Sequence, residues 1–287
     1  MTEKLVMNSA LASSLKPRNL FLELMLASND EPLSAKEAVR AAALFGISES
    51  NARITLLRLS VEGLITAEER GVYRLSEQAH ELADAVALWR GAERRIKPWR
   101  GGYLALHRVV AAAPSAKLLR QRQRALDLHG FAPLEPQLYI RPDNRKEPAA
   151  ELAQRLAKLG LEPNAQLLQV SNIVGKTEAD LAALWDAAAL NRSYAQLRQQ
   201  LETWMQRAPR LAPEQAMRES FLLGSKAIRA VLFDPLLPEA WLDAAARKAF
   251  FQAVAEYDAN GRKIWRRLRQ MPDFSARSLR RAGKTTP

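Results

Sequence analysis

The chain has 287 residues, 48% of them hydrophobic, and its 43 Lys+Arg outnumber 31 Asp+Glu to leave a formal charge of +12. That length favours two or three domains, and the apolar content is globular rather than disordered. With no cysteine, disulfides, thiolate zinc sites and cysteine catalysis are excluded, while the basic excess points to a polyanionic partner such as nucleic acid, an anionic membrane surface or a phosphate-rich ligand.

The first residues, MTEKLVMNSALASSLKPRN, lack the apolar stretch of a secretion signal, and no run of about 18 apolar residues occurs anywhere. A cytoplasmic protein with no membrane partner is therefore expected. The three histidines, His80, His107 and His129, lie far apart without metal-ligand spacing, so no metal and no cofactor is expected.

A compact module is predicted over residues 17 to 75. Pro17 suits the first position of a helix in PRNLFLELMLAS. Ser34 caps a second helix, and Glu37 three residues on completes a capping box. Gly46 ends that helix. Ser48 caps a third, which runs to Glu62 and stops at Gly63. LITAEERGVYRLS then reads as two strands around an Arg70-Gly71 turn. Three helices followed by a hairpin, with a tight helix-turn-helix inside, predict a winged helix-turn-helix domain over residues 1–75.

On the third helix Ala52, Leu56 and Leu59 share the core side, while Asn51 and Arg58 lie on one flank and Arg53 on the other. Ser50, Ile54, Leu57 and Val61 point away from that core. A recognition helix enters the major groove, and its first turns reach base edges. Ser48, Ser50 and Asn51 suit phosphates and bases, Arg53 and Arg58 suit guanine or phosphate, and Ile54 suits a thymine methyl. Arg70, Tyr73 and Arg74 of the wing are expected at the DNA backbone or minor groove. Leu57 and Val61 are expected against the hairpin or the next domain.

A connecting helix and linker are predicted over 76–98. From Arg90 to Arg124 there are ten basic residues and one acidic, Glu93. GGYLALHRVV alternates like a strand, SAKLLRQRQRALDLHG reads as a helix closed by Gly130, FAPLEPQLYIRP as a hairpin, PAAELAQRLAKLG as a helix and AQLLQVSNI as a last strand. The order β-α-β-β-α-β predicts a ferredoxin-like middle domain over 99–174. From 175 to 287 the pattern is all-α, with a break expected near Asn191 and a basic tail from Arg262. The expected class is thus α+β multidomain.

ALFGISESNARITLLRLSVEGLI with RGVYRLS, then WRGGYLALH, LHGFAPLEPQLYIRPDN, FLLGSKAIRAVLFDPLLPEAWLD and YDANGRKIW, resembles the PaaX family of repressors of phenylacetic acid degradation operons. The resemblance runs from about Pro17 to Arg266. It implies a winged-helix N-terminal domain, a ferredoxin-like middle domain and a helical C-terminal domain. It further implies repression of aromatic catabolic genes and release from a double-stranded DNA operator by phenylacetyl-coenzyme A.

A coenzyme A thioester needs cations for its phosphates and an apolar slot for its acyl group. Arg94, Arg95 and Arg100 beside Trp99 and Tyr103 offer both, as do Arg218 or Arg229 near Trp204 and Phe221. The same arginines also read as a solvated face or a DNA-backbone contact, and the tryptophans as core anchors. A homodimer is expected, since one recognition helix reads few base pairs and two half-sites multiply affinity. The C-terminal helices are the favoured dimer element.

Catalysis is not expected: no Gly-rich phosphate loop, nucleophile elbow or carboxylate cluster is present. The rival reading is a nucleic-acid-processing or RNA-binding protein built on the ferredoxin-like domain. YLALHRVV lacks the strand-end carboxylate that metal-dependent cleavage would use.

Overall fold

In a computed structural model the described residues are 15–27, 31–77, 79, 88–109 and 115–270. The expected connecting helix falls mainly outside them, as do the N-terminal extension and the end of the basic tail.

The chain opens with α1 (Pro17–Ala27), β1 (Leu33–Ser34), α2 (Ala35–Leu44), α3 (Glu49–Val61), β2 (Ile65–Glu69) and β3 (Val72–Leu75). The caps read from the sequence form as hydrogen bonds. Ser34 Oγ accepts from the Glu37 amide at 3.1 Å, and Glu37 Oε2 accepts from the Ser34 amide at 2.8 Å. Ser48 Oγ accepts from the Asn51 amide at 3.3 Å and starts α3. Gly46 and Gly63 take φ of 72° and 71°, the left-handed conformation that ends a helix without side-chain strain. The hairpin is joined by one more strand than expected: β1 pairs with β3, so the sheet order is β1-β3-β2, all antiparallel.

Next come a 3-10 helix (Leu88–Arg95), β4 (Tyr103–His107), α4 (Ala116–Leu128), β5 (Ala132–Glu135), β6 (Leu138–Pro142), α5 (Ala149–Lys158) and β7 (Gln166–Val170). The predicted element order is present. The strands form one antiparallel sheet in the order β5-β6-β4-β7.

GGYLALHRVV reads as an alternating strand, yet Tyr103, Leu104, Ala105 and Leu106 are all buried. The reason is that β4 is central and covered on both faces. Leu104 and Leu106 pack with Leu126, Leu152 and Leu156 of α4 and α5. Tyr103 and Ala105 pack with Leu181 and with Trp99, Trp185 and Trp241.

The remaining elements are helical: α6 (Glu178–Ala182), α7 (Ala187–Arg207), α8 (Pro213–Leu232) and α9 (Ala244–Gln270), with a 3-10 turn at Ala208–Arg210. The break expected near Asn191 falls earlier, between Ala182 and Ala187. There Asp186 Oδ1 accepts from the Ala189 amide at 2.8 Å and restarts the helix, so Asn191 lies inside α7.

Two compact units divide the chain. One takes residues 1–88, 201–227 and 254–287, and the other 89–200 and 228–253. This division does not follow the change of element type near residue 175, because α7, α8 and α9 each contribute residues to both units. In the first unit Leu20, Phe21, Met25, Ala38, Ala42, Leu56, Leu59 and Ile65 share one core with Phe221 of α8. Phe221 sets its ring edge-on to Phe45 at 5.4 Å and to Trp265 of α9 at 5.9 Å. The module predicted from residues 17–75 is therefore completed by side chains of the distant helices α8 and α9.

Candidate nucleic-acid interface

Helix α3 is held by one face. Ala52, Thr55, Leu56 and Leu59 are buried, and Thr55 Oγ1 donates to the Asn51 carbonyl at 2.7 Å. Thr55 escaped the sequence reading because a β-branched hydroxyl gives no apolar signal, though it lies on the same face as Leu56 and Leu59. Arg18 Nη2 reaches Glu62 Oε2 at 3.0 Å and ties the start of α1 to the end of α3.

The opposite face is open. Ser48, Ser50, Asn51, Arg53, Ile54 and Arg58 are all exposed. Leu57 and Val61, expected against the hairpin or the next domain, are 64% and 81% exposed. The helical period is the reason: the hairpin closes against the Ile65 end and the buried face of α3, not against the stripe that carries Leu57 and Val61.

Arg53 is not a bare cation. Its Nε lies 2.9 Å from Glu49 Oε1, one turn back. Arg74 on β3 is likewise 2.8 Å from Glu68 on β2. Among the described residues the Arg58 and Arg70 side chains have no such acidic partner. Tyr73, read as a wing contact, is half-buried and packs on the core, so its ring also has a structural role. Gly71 takes φ 80°, which lets Arg70 and Gly71 form the tight wing turn.

The residues singled out for an effector separate into different surroundings. Trp99 and Tyr103 do come together, at a ring distance of 5.7 Å, and join Trp241 and Trp185. Trp99 Nε1 donates to the Gly102 carbonyl at 2.7 Å, and Tyr103 is buried. Trp185, Trp241 and a run of alanines line an open hollow of about 800 Å³ beside this cluster. Arg94 and Arg100 are exposed. Arg95 is half-buried, and burial pulls its pKa below the ordinary value against the opposing pull of Glu147.

The members of the second grouping each have their own surroundings. Trp204 is buried, with its indole nitrogen donating to Glu219 at 2.9 Å and its ring 5.0 Å from Tyr257. Phe221 is spent in the core. Arg218 is exposed, and Arg229 lies over Phe233, 5.0 Å from the ring centre.

Among the buried ionic groups that escaped the sequence reading are two of the second unit. Glu162 sits between Arg108 and Arg122, at 2.6 and 3.0 Å. Arg141 and Arg145 are buried near Glu147 and His129. Burial brings the Arg141 pKa down to about 10 despite Glu147 and Asp143. Sequence spacing could not reveal either group, because the members come from different elements. Among the described residues no group of three His, Asp or Glu could hold a metal ion, and no helix is long and apolar enough to cross a membrane.

These elements define an α+β protein with helices, two antiparallel sheets and a helical C-terminal part. Residues 18–79 match the family described as PaaX-like protein, and residues 185–267 match the PaaX-like protein C-terminal domain. The chain belongs to the PaaX-like protein family. Among solved structures, an uncharacterized protein from Mycobacterium tuberculosis, Rv0674, aligns with 87% of this chain and 100% of its own, at 24% identity and a TM-score of 0.52. That likeness is one of fold. No curated protein matches the chain.

Proposed function

We propose that this protein is a cytoplasmic, homodimeric transcriptional repressor of aromatic catabolic genes that leaves its operator when an aryl-coenzyme A thioester binds. The observation that carries the reading is the division of α3. One face is locked into the core by Leu56 and Leu59, and the other presents Ser50, Asn51, Ile54 and Arg58 to solvent. An exposed hairpin with Arg70 and Arg74 stands beside it. This division supports a winged helix-turn-helix, which would set α3 in the major groove and the hairpin on the backbone.

The sheet order β5-β6-β4-β7 supports a ferredoxin-like middle domain. Membership of the PaaX-like family and the net charge of +12 support a regulator that binds polyanionic DNA. The aromatic cluster of Trp99, Tyr103 and Trp241 offers an apolar place for an aryl group. Effector binding would favour a conformation whose two recognition helices no longer match the half-site spacing. A coupling of about 1–3 kcal/mol lowers operator affinity roughly 5–150-fold.

A mobility shift on the DNA upstream of the protein's own gene tests this. The complex should form without ligand and dissociate with phenylacetyl-coenzyme A but not with free phenylacetate. Failure to shift that DNA, or Mg²⁺-dependent cleavage of it, would replace the repressor reading.

A further inference from the structure

Away from α3 and its hairpin, two arginines from different helices converge on one ring. The guanidinium carbon of Arg124, on α4, lies 5.9 Å from the centre of Phe233, and that of Arg229, on α8, lies 5.0 Å from it. Both arginines are exposed and the ring is half-buried. Arg120, also exposed, sits one turn before Arg124 on the same face of α4.

Like charges gathered this way repel one another, and nearby carboxylates do not neutralise them. Among the described residues Arg120, Arg124 and Arg229 have no acidic partner. Asp127 on α4 accepts instead from Gln123 Nε2 at 2.8 Å. Asp234, next to the ring in sequence, is buried and takes the Tyr194 hydroxyl at 2.6 Å and the Leu236 amide at 2.8 Å.

The ring is also held in place. The Phe233 amide donates to the Arg229 carbonyl at 3.1 Å. Just beyond it, the Pro235 carbonyl accepts from Arg145 at 2.9 Å and the Leu236 carbonyl from Asn144 at 2.6 Å. These buried side chains fix the segment that follows α8, so Phe233 is a preorganised platform rather than a loop-tip side chain.

We propose that Arg124, Phe233 and Arg229, with Arg120 at the edge, form a clamp for phosphorylated adenosine. The guanidinium forks match phosphate oxygens, and a planar base stacks against an aromatic face or a guanidinium plane. An anion between the two arginines removes their mutual repulsion, which makes the site selective for multiply charged ligands over a neutral nucleoside. The adenosine can be free or the end of a coenzyme A thioester, and the assignment of that thioester as the natural ligand rests on the proposed function above.

Calorimetric titration of the full chain with adenosine 3′,5′-bisphosphate, coenzyme A, phenylacetyl-coenzyme A and adenosine tests the clamp. Arg124→Gln and Arg229→Gln change exposed side chains and should leave the fold intact, which circular dichroism checks. Each should weaken the three phosphorylated ligands about tenfold or more, the loss expected for a charged hydrogen bond. Adenosine should bind far more weakly than the bisphosphate in the wild type.

Unchanged affinities in both variants, or a wild type that binds none of the phosphorylated ligands, would overturn the clamp. So would variants that lose DNA affinity while keeping nucleotide affinity, since the patch would then belong to DNA. If the bisphosphate binds through the arginines but the thioester does not release DNA, the clamp stands and the effector reading fails. If the thioester releases DNA equally well in both variants and the bisphosphate keeps its affinity, the effector reading stands and the clamp fails.

Discussion

Arg53 and Glu49 face each other one turn apart on α3, with Arg53 Nη2 2.8 Å and Nε 2.9 Å from Glu49 Oε1. Both side chains are exposed, so the pair adds little to stability. On the proposed function its consequence is for binding: Arg53 would exchange Glu49 for a base or phosphate, and the Glu49 carboxylate would then face the DNA. Arg53→Ala should cost about 1–3 kcal/mol of operator affinity at the base it reads. Glu49→Gln should tighten binding, because it removes a charge that repels phosphate. Fluorescence anisotropy at several salt concentrations separates the two. Equal affinities for wild type and Arg53→Ala would remove α3 from the groove.

Leu56 and Leu57 are neighbours with opposite fates. Leu56 is 1% exposed in the shared core and Leu57 is 64% exposed. Leu56→Ala should lower unfolding free energy by about 2–5 kcal/mol, through lost burial and a residual cavity. Leu57→Ser should change it by no more than about 0.5 kcal/mol. Urea denaturation reads both. A large loss for Leu57→Ser would mean that this stripe is covered in the native protein.

Glu162 is buried with Arg108 and Arg122 at its oxygens. Desolvation alone would raise its pKa, but the Arg108 hydrogen bond and the two positive charges outweigh that and hold it below the ordinary value of 4.5. Its stabilising contribution is therefore present above that value and is lost as pH falls through the depressed one. Glu162→Gln should cost about 3–5 kcal/mol near neutral pH, because it leaves buried guanidinium charge uncompensated. Thermal melts at pH 7 check this, and a variant as stable as wild type would contradict it.

His129 supplies an acid sensitivity in a higher pH range. Burial, reinforced by Arg145 and Arg141 and more weakly by Arg155 and Arg95, holds its pKa well below the ordinary 6.5. The folded protein keeps the imidazole neutral while the unfolded chain protonates it. Stability from this residue is thus complete above 6.5 and declines as pH falls towards the folded value. As pH falls from about 7.5 to about 5.5 the wild type should lose more stability than His129→Gln, because unfolding takes up a proton at this imidazole. Parallel pH slopes for the two proteins would show that His129 titrates freely in the fold.

Much of the candidate interface was legible in the residues themselves. Ser34 with Glu37, and Ser48 before Asn51, form their caps over three positions, so the starts of α2 and α3 need nothing distant. The periodicity of Ala52, Leu56 and Leu59 likewise marks the buried side of α3 without reference to its partner. The order of strands and helices from β4 to β7 follows from the same local signals. What such signals do not carry is whether a second layer covers a strand, which is why β4 read as alternating although Tyr103 and Ala105 lie beneath Leu181 and the tryptophans.

The tertiary structure alone decided which distant segments meet. Phe221, Leu222 and Trp265 complete a core whose other members lie within the first 80 residues, and Arg124 and Arg229 reach one ring from helices separated by about a hundred positions. A cap or an amphipathic face is set by backbone geometry over one or two turns, and its energy is local. A pairing between remote side chains depends on where the intervening chain returns, which is fixed by the joint burial of many apolar groups and leaves no spacing rule in the sequence.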